Sequence, residues 1–409
     1  MRIAVIIKKL NVLGGNQRHA LGIANELSRR GHEITLYTTQ YKKGEGFATI
    51  INRFQVISLE TQHSVFKKTR NPLVILRRFF EHIPGENKDA QALAKLIDPK
   101  TDLLNPHHDP LAYKTAYFYK KYIRDIPSVW VMNDLNTKYA SFIRAHAMDS
   151  GRTLSLPKRM AYWLFDMWEL RFIRAQNAIA VLDKRDADWV KKYFGKHACV
   201  VRSGIDADEF PYEIRERRER LANQRGIRLL MVGIFFEHRR FEDGLEAMNM
   251  LKAGGYKVNL TIIGDARDKK YYDFIVKRIH DLGLGSEVEL RGRVSEEDLR
   301  RAYREHDIFI FPSHLQSWGI AVFEAMASGL PVIVSRTAGA SDVLTDGENA
   351  LLVHPKSPKE IFMAVKRLLD EPEFYGKISH NVRNFVEESL SWSRCADQML
   401  DCFRCVITK

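Results

Sequence analysis

Short apolar runs alternate along this chain with longer segments in which apolar residues recur every three or four positions. The short runs predict buried strands and the longer segments predict amphipathic helices. In the first half we expect strands over 2–7, 33–38, 102–104, 128–132, 178–182 and 198–201, and helices over 16–30 and 112–124. After a charged stretch ending at Gly226 we expect strands over 229–232, 259–263, 287–290, 307–311 and 332–334, and helices from 241, over 270–282, over 295–304 and from 319. Strands that alternate with helices predict parallel sheets covered on both faces.

The restart after the charged stretch predicts two doubly wound domains. We expect an N-terminal domain over 1–202, a hinge and linker over 203–226, a second domain over 227–388, and an amphipathic helix over 389–409. Ligands of such sheets bind at the carboxyl ends of the strands. Two facing domains of this kind therefore predict one cleft between them.

Composition restricts the class of protein. A chain of 409 residues with 45% hydrophobic and 28% charged residues is typical of a globular protein with room for two cores. No run of about 18 uncharged apolar residues exists to span a membrane. The first apolar run ends at Lys8 and Lys9, which favours a buried strand rather than a secretion signal. We therefore expect a cytoplasmic location. A net charge of +13 favours anionic partners, although no nucleic-acid-binding module is recognisable.

One segment, residues 311–334, concentrates candidate chemistry. A short apolar strand leads into a loop that carries hydroxyl and amide groups, and a helix begins near Gly319. The free N–H groups of Gly319, Ile320 and Ala321 would favour an anion such as a pyrophosphate, because the helix dipole is positive there. One turn later Glu324 stands among apolar neighbours, where a carboxylate can accept two hydrogen bonds from a pair of ribose hydroxyls.

This segment resembles the signature of the retaining glycosyltransferases of family 4, which have the GT-B fold. That signature has two glutamates separated by seven residues, and Gly-Phe-Gly follows the first. Glu324 matches the second glutamate, Gln316 holds the place of the first, and Trp318-Gly319 stand for Phe-Gly. The resemblance implies an α/β GT-B fold, two Rossmann-like domains facing across a cleft, with Gln316 and Ser317 at the donor sugar. It also implies that the helix over 389–409 returns toward the first domain. Gln316 can hydrogen-bond a sugar hydroxyl but cannot supply charge to a cationic transition state.

Basic residues follow two strands of the second domain. The family places an arginine directly after the glycine that matches Gly233, and a lysine a few residues later, to grip the pyrophosphate. Here Ile234 takes the first position and Arg239 the second, with Arg240 beside it as a further donor contact. A guanidinium can clamp phosphate oxygens with two hydrogen bonds. A solvated arginine pair is the alternative.

The turn at Arg293 has the position that the family uses to read the base. A basic turn that only caps a strand explains Arg293 nearly as well.

On the acceptor side the resemblance points to strand ends of the first domain. It implies that Gly15, after the first strand, approaches the donor, with Gly14 beside it on the acceptor side; a mere tight turn is the alternative. Many family members have a histidine at one of two later strand ends. That role falls to His108, for which a structural histidine is equally compatible, and Asn133 is predicted as a polar contact.

Acidic pairs and cysteines do not predict a metal site. Asp186 and Asp188 lie on a predicted helix, and Asp206 and Asp208 lie in the hinge, where the family has a similar acidic turn without metal. Cys402 and Cys405 have C-x-x-C spacing, but no second pair is near enough in sequence to complete a zinc shell, so we expect reduced thiols.

Two segments mix basic and aromatic residues, over 66–80 and 160–168. Such segments can lie on an anionic membrane surface. The alternative is a helix that packs on the sheet with a solvated basic edge, and for the second segment this alternative is favoured.

Together these features and the resemblance predict an enzyme, a hexosyltransferase that uses a UDP- or GDP-sugar and a growing, lipid-linked glycan as acceptor. The resemblance alone implies that it is a retaining enzyme. We expect a cytoplasmic protein, peripheral on the inner face of the membrane, with no tightly bound cofactor and no bound metal; Mg²⁺ can assist but is not required. A small soluble acceptor stays open as an alternative. So does a degenerate nucleotide-sugar-binding subunit without turnover, since Gln316 and Ile234 both depart from the family pattern.

Overall fold

The chain forms two compact units in a computed structural model that describes residues 1–59, 85–133, 163, 167–212 and 226–408. Unit 1 comprises Met1–Arg202 together with Cys395–Lys409, and unit 2 comprises Ser203–Arg394. The basic segment over 66–80, most of the segment over 160–168 and the charged stretch over 213–225 lie outside the described residues.

Unit 1 is built from parallel strands and the helices that connect them. Its strands are β1 (Arg2–Ile6), β2 (Glu33–Thr38), β3 (Gln55–Ser58), β4 (Leu103–Pro106), β5 (Val129–Met132), β6 (Ala178–Val181) and β7 (Ala198–Val200). Its described helices are α1 (Gly15–Arg29), α2 (Ala48–Ile51), α3 (85–96), α4 (Pro110–Tyr122), α5 (167–174) and α6 (Lys184–Trp189), which a π-helical turn (Val190–Phe194) extends.

The strands of unit 1 have the order of a doubly wound sheet. Hydrogen bonding gives the orders β3-β2-β1-β4 and β5-β6-β7. Parallel bridges from Leu104 to Ser128 and from His107 to Val131 join β4 to β5. The chain therefore winds outward from β1 to β3, returns to the other side of β1 at β4, and continues to β7. The strand order reverses between β1 and β4, and the carboxyl ends of these strands flank the crevice where such sheets bind ligands.

Unit 2 repeats this construction. Its strands are β8 (Ile227–Val232), β9 (Val258–Ile263), β10 (Val288–Arg291), β11 (Ile308–Phe311), β12 (Val332–Ser335) and β13 (Leu351–Val353). Its helices are α7 (Phe241–Ala253), α8 (Lys269–Asp281), α9 (Glu296–Glu305), α10 (Ile320–Ala327), α11 (Pro358–Asp370) and α12 (Pro372–Ser389), and α13 (Trp392–Ile407) follows.

All strand pairs of unit 2 are parallel, in the order β10-β9-β8-β11-β12-β13. The order reverses between β8 and β11. Every residue of β11 and β12 is buried, as expected for strands with helices on both faces. The α/β class with two doubly wound, Rossmann-like domains is thus confirmed.

The last helix, α13, packs on unit 1 from Cys395 onward. Its buried side chains recur at helical spacing: Cys395, Ala396, Met399, Cys402, Phe403 and Val406. Arg30 pairs with Asp397 at 2.5 Å, and the Arg202 N–H donates to Gln398 Oε1 at 2.8 Å. An apolar stripe flanked by polar contacts therefore docks this helix on the sheet of unit 1. Within the described parts of the chain, no helix combines the length and apolar character needed to cross a membrane.

Candidate active site

Two loops meet where the strand order of unit 2 reverses. One follows β8 and includes a short 3₁₀ turn, Glu237–Arg239; the other follows β11 and leads to α10. The N–H of His314 donates to the carbonyl of His238 at 2.7 Å, and His238 Nε2 lies 3.1 Å from Gln316 Oε1. These contacts hold the two loops together at the carboxyl ends of the two central strands, the expected ligand crevice of the sheet.

Two glycines let the backbone and Arg239 approach each other closely at this edge. A Cβ on Gly264, after β9, would lie 1.8 Å from the carbonyl oxygen of Gly233, after β8. A Cβ on Gly233 would lie 3.2 Å from Arg239 Nε. The guanidinium carbon of Arg239 is also 5.9 Å from the centroid of the Phe311 ring at the end of β11. Arg239 therefore lies across the ends of β8 and β11 and places its donors there.

Gly319 makes the start of α10 possible in two ways. Its φ of +77° is in the left-handed region, and an added Cβ would lie 2.9 Å from Cε1 of Phe311. A side chain at this position would therefore be strained and would collide with the ring. The helix then begins at Ile320, and its first N–H groups have no partner within the helix. The positive end of the helix dipole thus lies next to the strand end that Arg239 covers.

Glu324 is buried one turn into α10, with only 6% of the residue exposed. Its Oε2 accepts a hydrogen bond from the Tyr303 hydroxyl of α9 at 2.9 Å. This bond fixes the orientation of the carboxylate. Trp318, immediately before the helix, stacks on Phe323 with ring centroids 4.5 Å apart, and Ser317 is buried beside it.

Gln316 is held from both sides. Its side-chain oxygen faces His238, and its carbonyl accepts from the Gly339 N–H at 2.7 Å. The preceding residue, Leu315, has a φ of +54°, a conformation that is strained for a leucine. Strain of this kind persists where surrounding contacts over-determine the backbone. The surrounding contacts therefore hold the loop that carries Gln316 in a single backbone conformation.

Arg240 and Arg293 are not gathered with these residues. Arg240 binds Asp243 through Nη2 and Nε, at 2.7 and 3.0 Å, and pairs with Glu242 at 2.8 Å. Its guanidinium thus neutralises two acids in the first turn of α7. Arg293 is exposed beyond β10, the edge strand of the sheet, with β9 between β10 and β8. Their predicted donor contacts stay predictions, and the ion pairs of Arg240 favour a structural role for it.

In unit 1, the predicted acceptor residues lie at the ends of β4 and β5. His108 has a φ of +55°, and its N–H donates to the carbonyl of Val131 at 2.8 Å. Its Nδ1 is buried and has no hydrogen-bond partner among the described residues. Gly14 caps α1, where an added Cβ would meet the flexible side chain of Gln17, and Gly15 is the exposed first residue of that helix.

Asn133 takes part in a buried pair that the sequence did not indicate. Its Oδ1 lies 2.8 Å from Nδ1 of His19, whose Nε2 lies 3.9 Å from Cys395 Sγ. Burial lowers the pKa of His19 to about 4, although the hydrogen bond to Asn133 acts to raise it. The ring is therefore neutral at pH 7. Asn133, predicted as a polar contact on the acceptor side, therefore uses its side-chain oxygen to hold His19. The one sequence signal was the position of His19 on the apolar face of α1.

His107 was also missed, although it precedes His108. The Asn105 amide donates to the Val129 carbonyl at 2.8 Å, so its Oδ1 accepts from His107 Nε2 at 2.9 Å. The proton therefore resides on Nε2, and Nδ1 keeps its lone pair. Burial, with the nearby charges of His19 and His108, lowers the pKa of His107 well below its usual range. His107 at the end of β4 and His19 on α1, whose ring centroids are 6.4 Å apart, are therefore both neutral imidazoles.

Each aspartate pair lies at a helix start that an aspartate side chain caps: Asp183, outside the pairs, caps α6, and Asp206 caps a 3₁₀ turn over Ala207–Glu209. Asp183 Oδ1 accepts from the Asp186 N–H at 2.8 Å, and Asp206 Oδ1 accepts from the Asp208 N–H at 3.2 Å. Among the described residues no group of three His, Cys, Asp or Glu side chains is arranged to hold a metal ion.

Comparison with known proteins relates this geometry to a family. The model of Glycosyltransferase Family 4 matches residues 13–209, and that of Glycosyl transferases group 1 matches residues 213–385. An uncharacterized glycosyltransferase of Methanocaldococcus jannaschii is 27% identical over 99% of this chain and 98% of its own length.

Solved structures show the same fold over whole chains. A sucrose-phosphate synthase from Thermosynechococcus elongatus superposes with a TM-score of 0.76 at 18% identity, covering 100% of this chain and 99% of that one. HepE of Anabaena, in complex with UDP and glucose, superposes with a TM-score of 0.72 at 15% identity, covering 98% and 99%. The two family models together match residues 13–209 and 213–385, and the chain folds into two Rossmann-like units. This chain is therefore a glycosyltransferase of family 4 with the GT-B fold, an enzyme of the hexosyltransferase class.

Proposed function

We propose that this enzyme is a retaining glycosyltransferase that moves a hexose from a UDP- or GDP-sugar to a growing, lipid-linked glycan. One observation carries the donor half of this proposal. The strand ends of β8 and β11 bring together the Arg239 guanidinium, the N-terminus of α10 and the buried carboxylate of Glu324.

The chemistry of these groups suits a nucleoside diphosphate. Arg239 and the first N–H groups of α10 can only donate hydrogen bonds, and both favour negative charge. Glu324 can only accept, which suits the two hydroxyls of a ribose. Charge that develops on the departing diphosphate would be stabilised by Arg239 and the helix, a preorganised arrangement that lowers the barrier. Mg²⁺ can assist without a protein site. HepE, which holds UDP in its crystals, supports a uridine donor.

Gln316 is proposed to contact the transferred sugar. His238 Nε2 faces Gln316 Oε1, so the amide nitrogen points away from His238. That nitrogen can donate to a sugar hydroxyl oxygen. A neutral amide provides no charge for an oxocarbenium-like transition state, so we expect leaving-group stabilisation to dominate the rate enhancement.

The acceptor is proposed to bind at the strand ends of unit 1. His108 offers a buried Nδ1, and His107 beside it keeps a lone pair on Nδ1. Such acceptors can hold the hydroxyl of an incoming sugar. The predicted roles of Gly14, Gly15 and Asn133 stay predictions.

A small soluble acceptor is the second candidate. The similarity to a sucrose-phosphate synthase over the whole chain favours it, since that name describes transfer to a soluble sugar phosphate. The two candidates share the donor site and differ only in the acceptor.

Ligand-observed NMR with UDP-Glc, UDP-GlcNAc, UDP-Gal and GDP-Man tests the donor half. We expect wild-type protein to bind one donor and hydrolyse it slowly. Glu324→Ala should lose that binding, because the ribose hydroxyls lose the Glu324 carboxylate as their hydrogen-bond acceptor. Glu373→Ala, which removes an exposed carboxylate in the first turn of α12, is the matched control and should bind as wild type. No binding of any donor by folded wild-type protein would overturn the proposal. Binding without turnover, with lipid-linked and soluble acceptors supplied, would leave a binding subunit in its place.

A further inference from the structure

A ladder of aromatic rings reaches the surface of unit 1 at both of its ends. Tyr122 stacks on Phe118 with ring centroids 6.0 Å apart, Phe118 lies 5.9 Å from Phe172, and Phe172 lies 6.2 Å from Trp168. The inner rings belong to the core, but Tyr122 is 62% exposed and Trp168 is 39% exposed. The ladder therefore connects the end of α4 to the outer side of α5.

Other large apolar side chains are exposed around the two ends of this ladder. Ile123 follows Tyr122, and Met167 precedes Trp168; Trp163, four residues before Met167 in sequence, is also exposed. Single exposed apolar residues are ordinary on protein surfaces, but a contiguous group of large ones marks an interaction site.

Cations lie directly against the exposed rings. The guanidinium carbon of Arg171 is 3.5 Å from the centroid of the Trp168 ring, and Lys121 Nζ is 5.0 Å from that of Tyr122. Each exposed end of the ladder thus combines an aromatic face with a positive charge, and such pairs suit a boundary between water and lipid.

Further cations join the same surface through hydrogen bonds between its segments. Arg174 Nε donates to the Phe194 carbonyl at 3.2 Å, Lys196 Nζ to the Gln176 carbonyl at 3.0 Å, and Lys120 Nζ to the Ala175 carbonyl at 3.0 Å. The end of α4, the end of α5 and the π-helical turn therefore converge beside residues 175–177.

Positive charge strongly outweighs negative charge in these segments. Residues 117–125, 167–177 and 190–197 carry eight lysines and arginines: Lys120, Lys121, Arg124, Arg171, Arg174, Lys191, Lys192 and Lys196. Their acids are Asp125, which is exposed, and Glu169, which is buried. Asp125 Oδ1 lies 3.6 Å from Lys120 Nζ. Burial lowers the pKa of Lys120, the pairing with Asp125 acts in the opposite direction, and the nearby charge of Lys196 lowers it slightly further.

We propose that these residues form an aromatic–basic surface, centred on Tyr122, Trp168 and the eight cations, that docks the protein on an anionic phospholipid membrane. Aromatic and long apolar side chains enter the interface, while lysines and arginines attract acidic headgroups. A nucleic acid would satisfy the cations but would leave Ile123 and Met167 in water, so the observations favour lipid. This inference deepens the lipid-linked acceptor of the proposed function by naming the surface that meets the membrane.

Vesicle co-sedimentation of the full-length protein tests this proposal. We expect wild-type protein to pellet with vesicles of phosphatidylcholine and phosphatidylglycerol, to remain in solution with phosphatidylcholine alone, and to be released by salt because headgroup attraction is screened. The double variant Tyr122→Ser/Trp168→Ser should partition at least tenfold more weakly, and Lys121→Gln/Arg171→Gln should lose most of the preference for acidic lipid.

The matched control lies on α8 of unit 2, where Phe274 is 47% exposed near the exposed Lys270. Phe274→Ser/Lys270→Gln removes the same kinds of group and should bind vesicles as wild type. Urea unfolding of each variant identifies any that fail to fold; Trp168→Tyr, which keeps an interfacial ring, then serves as a second test and should retain binding.

Two results of co-sedimentation would overturn the proposal: no binding of wild-type protein to acidic vesicles, or equal binding by the surface variants and wild type. A third is competition, in which single-stranded RNA releases the protein from vesicles and binding of that RNA depends on Trp168 and Tyr122. Because co-sedimentation reads binding and not sugar transfer, this proposal and the glycosyltransferase donor assignment can fail separately.

Discussion

Four described residues other than glycine adopt left-handed backbone conformations, and three of them lie in loops that follow strands at the two crevices; the fourth, Lys356, follows the edge strand β13. His108 follows β4, Arg240 follows β8 and Leu315 follows β11, with φ values of 55°, 55° and 54°. Each conformation costs free energy that surrounding contacts must offset. Their location after strands that border the two crevices indicates that the backbone there is shaped for a ligand rather than for stability alone.

Gly319→Ala tests the geometry at the start of α10. The added Cβ meets the Phe311 ring at 2.9 Å in a backbone conformation with φ of +77°. We expect the loop to shift and the free energy of unfolding to fall by about 1–3 kcal/mol. Donor binding should weaken at least tenfold, because the first N–H groups of the helix move. Isothermal titration with UDP and urea unfolding measure the two effects; unchanged UDP affinity would show that this helix start does not bind the diphosphate.

Arg239→Met and Arg240→Met separate two adjacent arginines. Arg239 lies across the strand ends, so its loss should weaken UDP binding ten- to a hundredfold, the scale of about 1.5–3 kcal/mol for a charged hydrogen bond. Arg240 pairs with Glu242 and Asp243 instead. Its loss should lower the urea midpoint and leave UDP affinity within about threefold. Titration of both variants with UDP decides the matter, and the opposite pattern would assign the phosphate to Arg240.

At the scale of elements, α4 is tied to its neighbours by a buried lysine. Lys114 Nζ lies 2.7 Å from Glu86 Oε1 at the start of the described part of α3 and 2.6 Å from Glu169 Oε1 of α5. The Tyr113 hydroxyl donates to Glu169 Oε2 at 2.6 Å. Lys114 is 1% exposed, so these charges compensate one another away from water. One ammonium thus joins three helices of unit 1.

Lys114→Met should destabilise unit 1 strongly. Methionine fills a similar volume, but it leaves the buried carboxylate of Glu169 without its cation and Glu86 with only Lys8, whose Nζ is 3.7 Å from Glu86 Oε2, at a cost of about 3–5 kcal/mol. Urea unfolding followed by tryptophan fluorescence measures this loss. Lys121→Met, an exposed lysine on the same helix, is the control and should change stability by less than about 0.5 kcal/mol. A loss for Lys114→Met no larger than that of the control would contradict the interpretation.

At the scale of the whole molecule, both units bury neutral histidines. Burial lowers the pKa of His19 in unit 1 and of His306 in unit 2 to about 4. His306 Nδ1 donates to the Ala302 carbonyl at 2.6 Å, and its Nε2 lies 3.0 Å from the Thr261 hydroxyl. Such groups make stability depend on pH in each unit independently.

The direction follows from proton uptake. An unfolded histidine titrates near pH 6.5, so below that pH the unfolded chain binds protons that the folded chain excludes. Stability is therefore complete above about pH 6.5 and falls as the pH drops toward 4. Between pH 7 and 5 each histidine should cost about 2 kcal/mol. Urea midpoints at the two pH values measure this; His19→Gln and His306→Gln should each flatten the dependence, and the exposed His197→Gln should not.

Prediction from sequence was most successful where the information is local. The strands from β8 to β12 and the start of α10 each follow from a continuous apolar run or a glycine before a helix. Strands β3 and β13 were missed, because four and three residues form too short a pattern. Arg239 and Arg240 could not be told apart, because adjacent residues share every local signal and differ only in what their side chains reach.

The sequence by itself determined the alternation of strands and helices, the restart that makes two Rossmann-like units, and the grouping of Gln316, Gly319 and Glu324 on one segment. These depend on periodicity and on backbone freedom within about ten residues of chain. Only the tertiary structure decided that His238 faces Gln316, 78 residues away, that His19 faces Asn133, 114 residues away, and that three segments join their cations into one surface. The physical reason is that hydrophobic periodicity specifies which face of an element is buried, whereas the partner of a polar side chain depends on the order in which strands assemble.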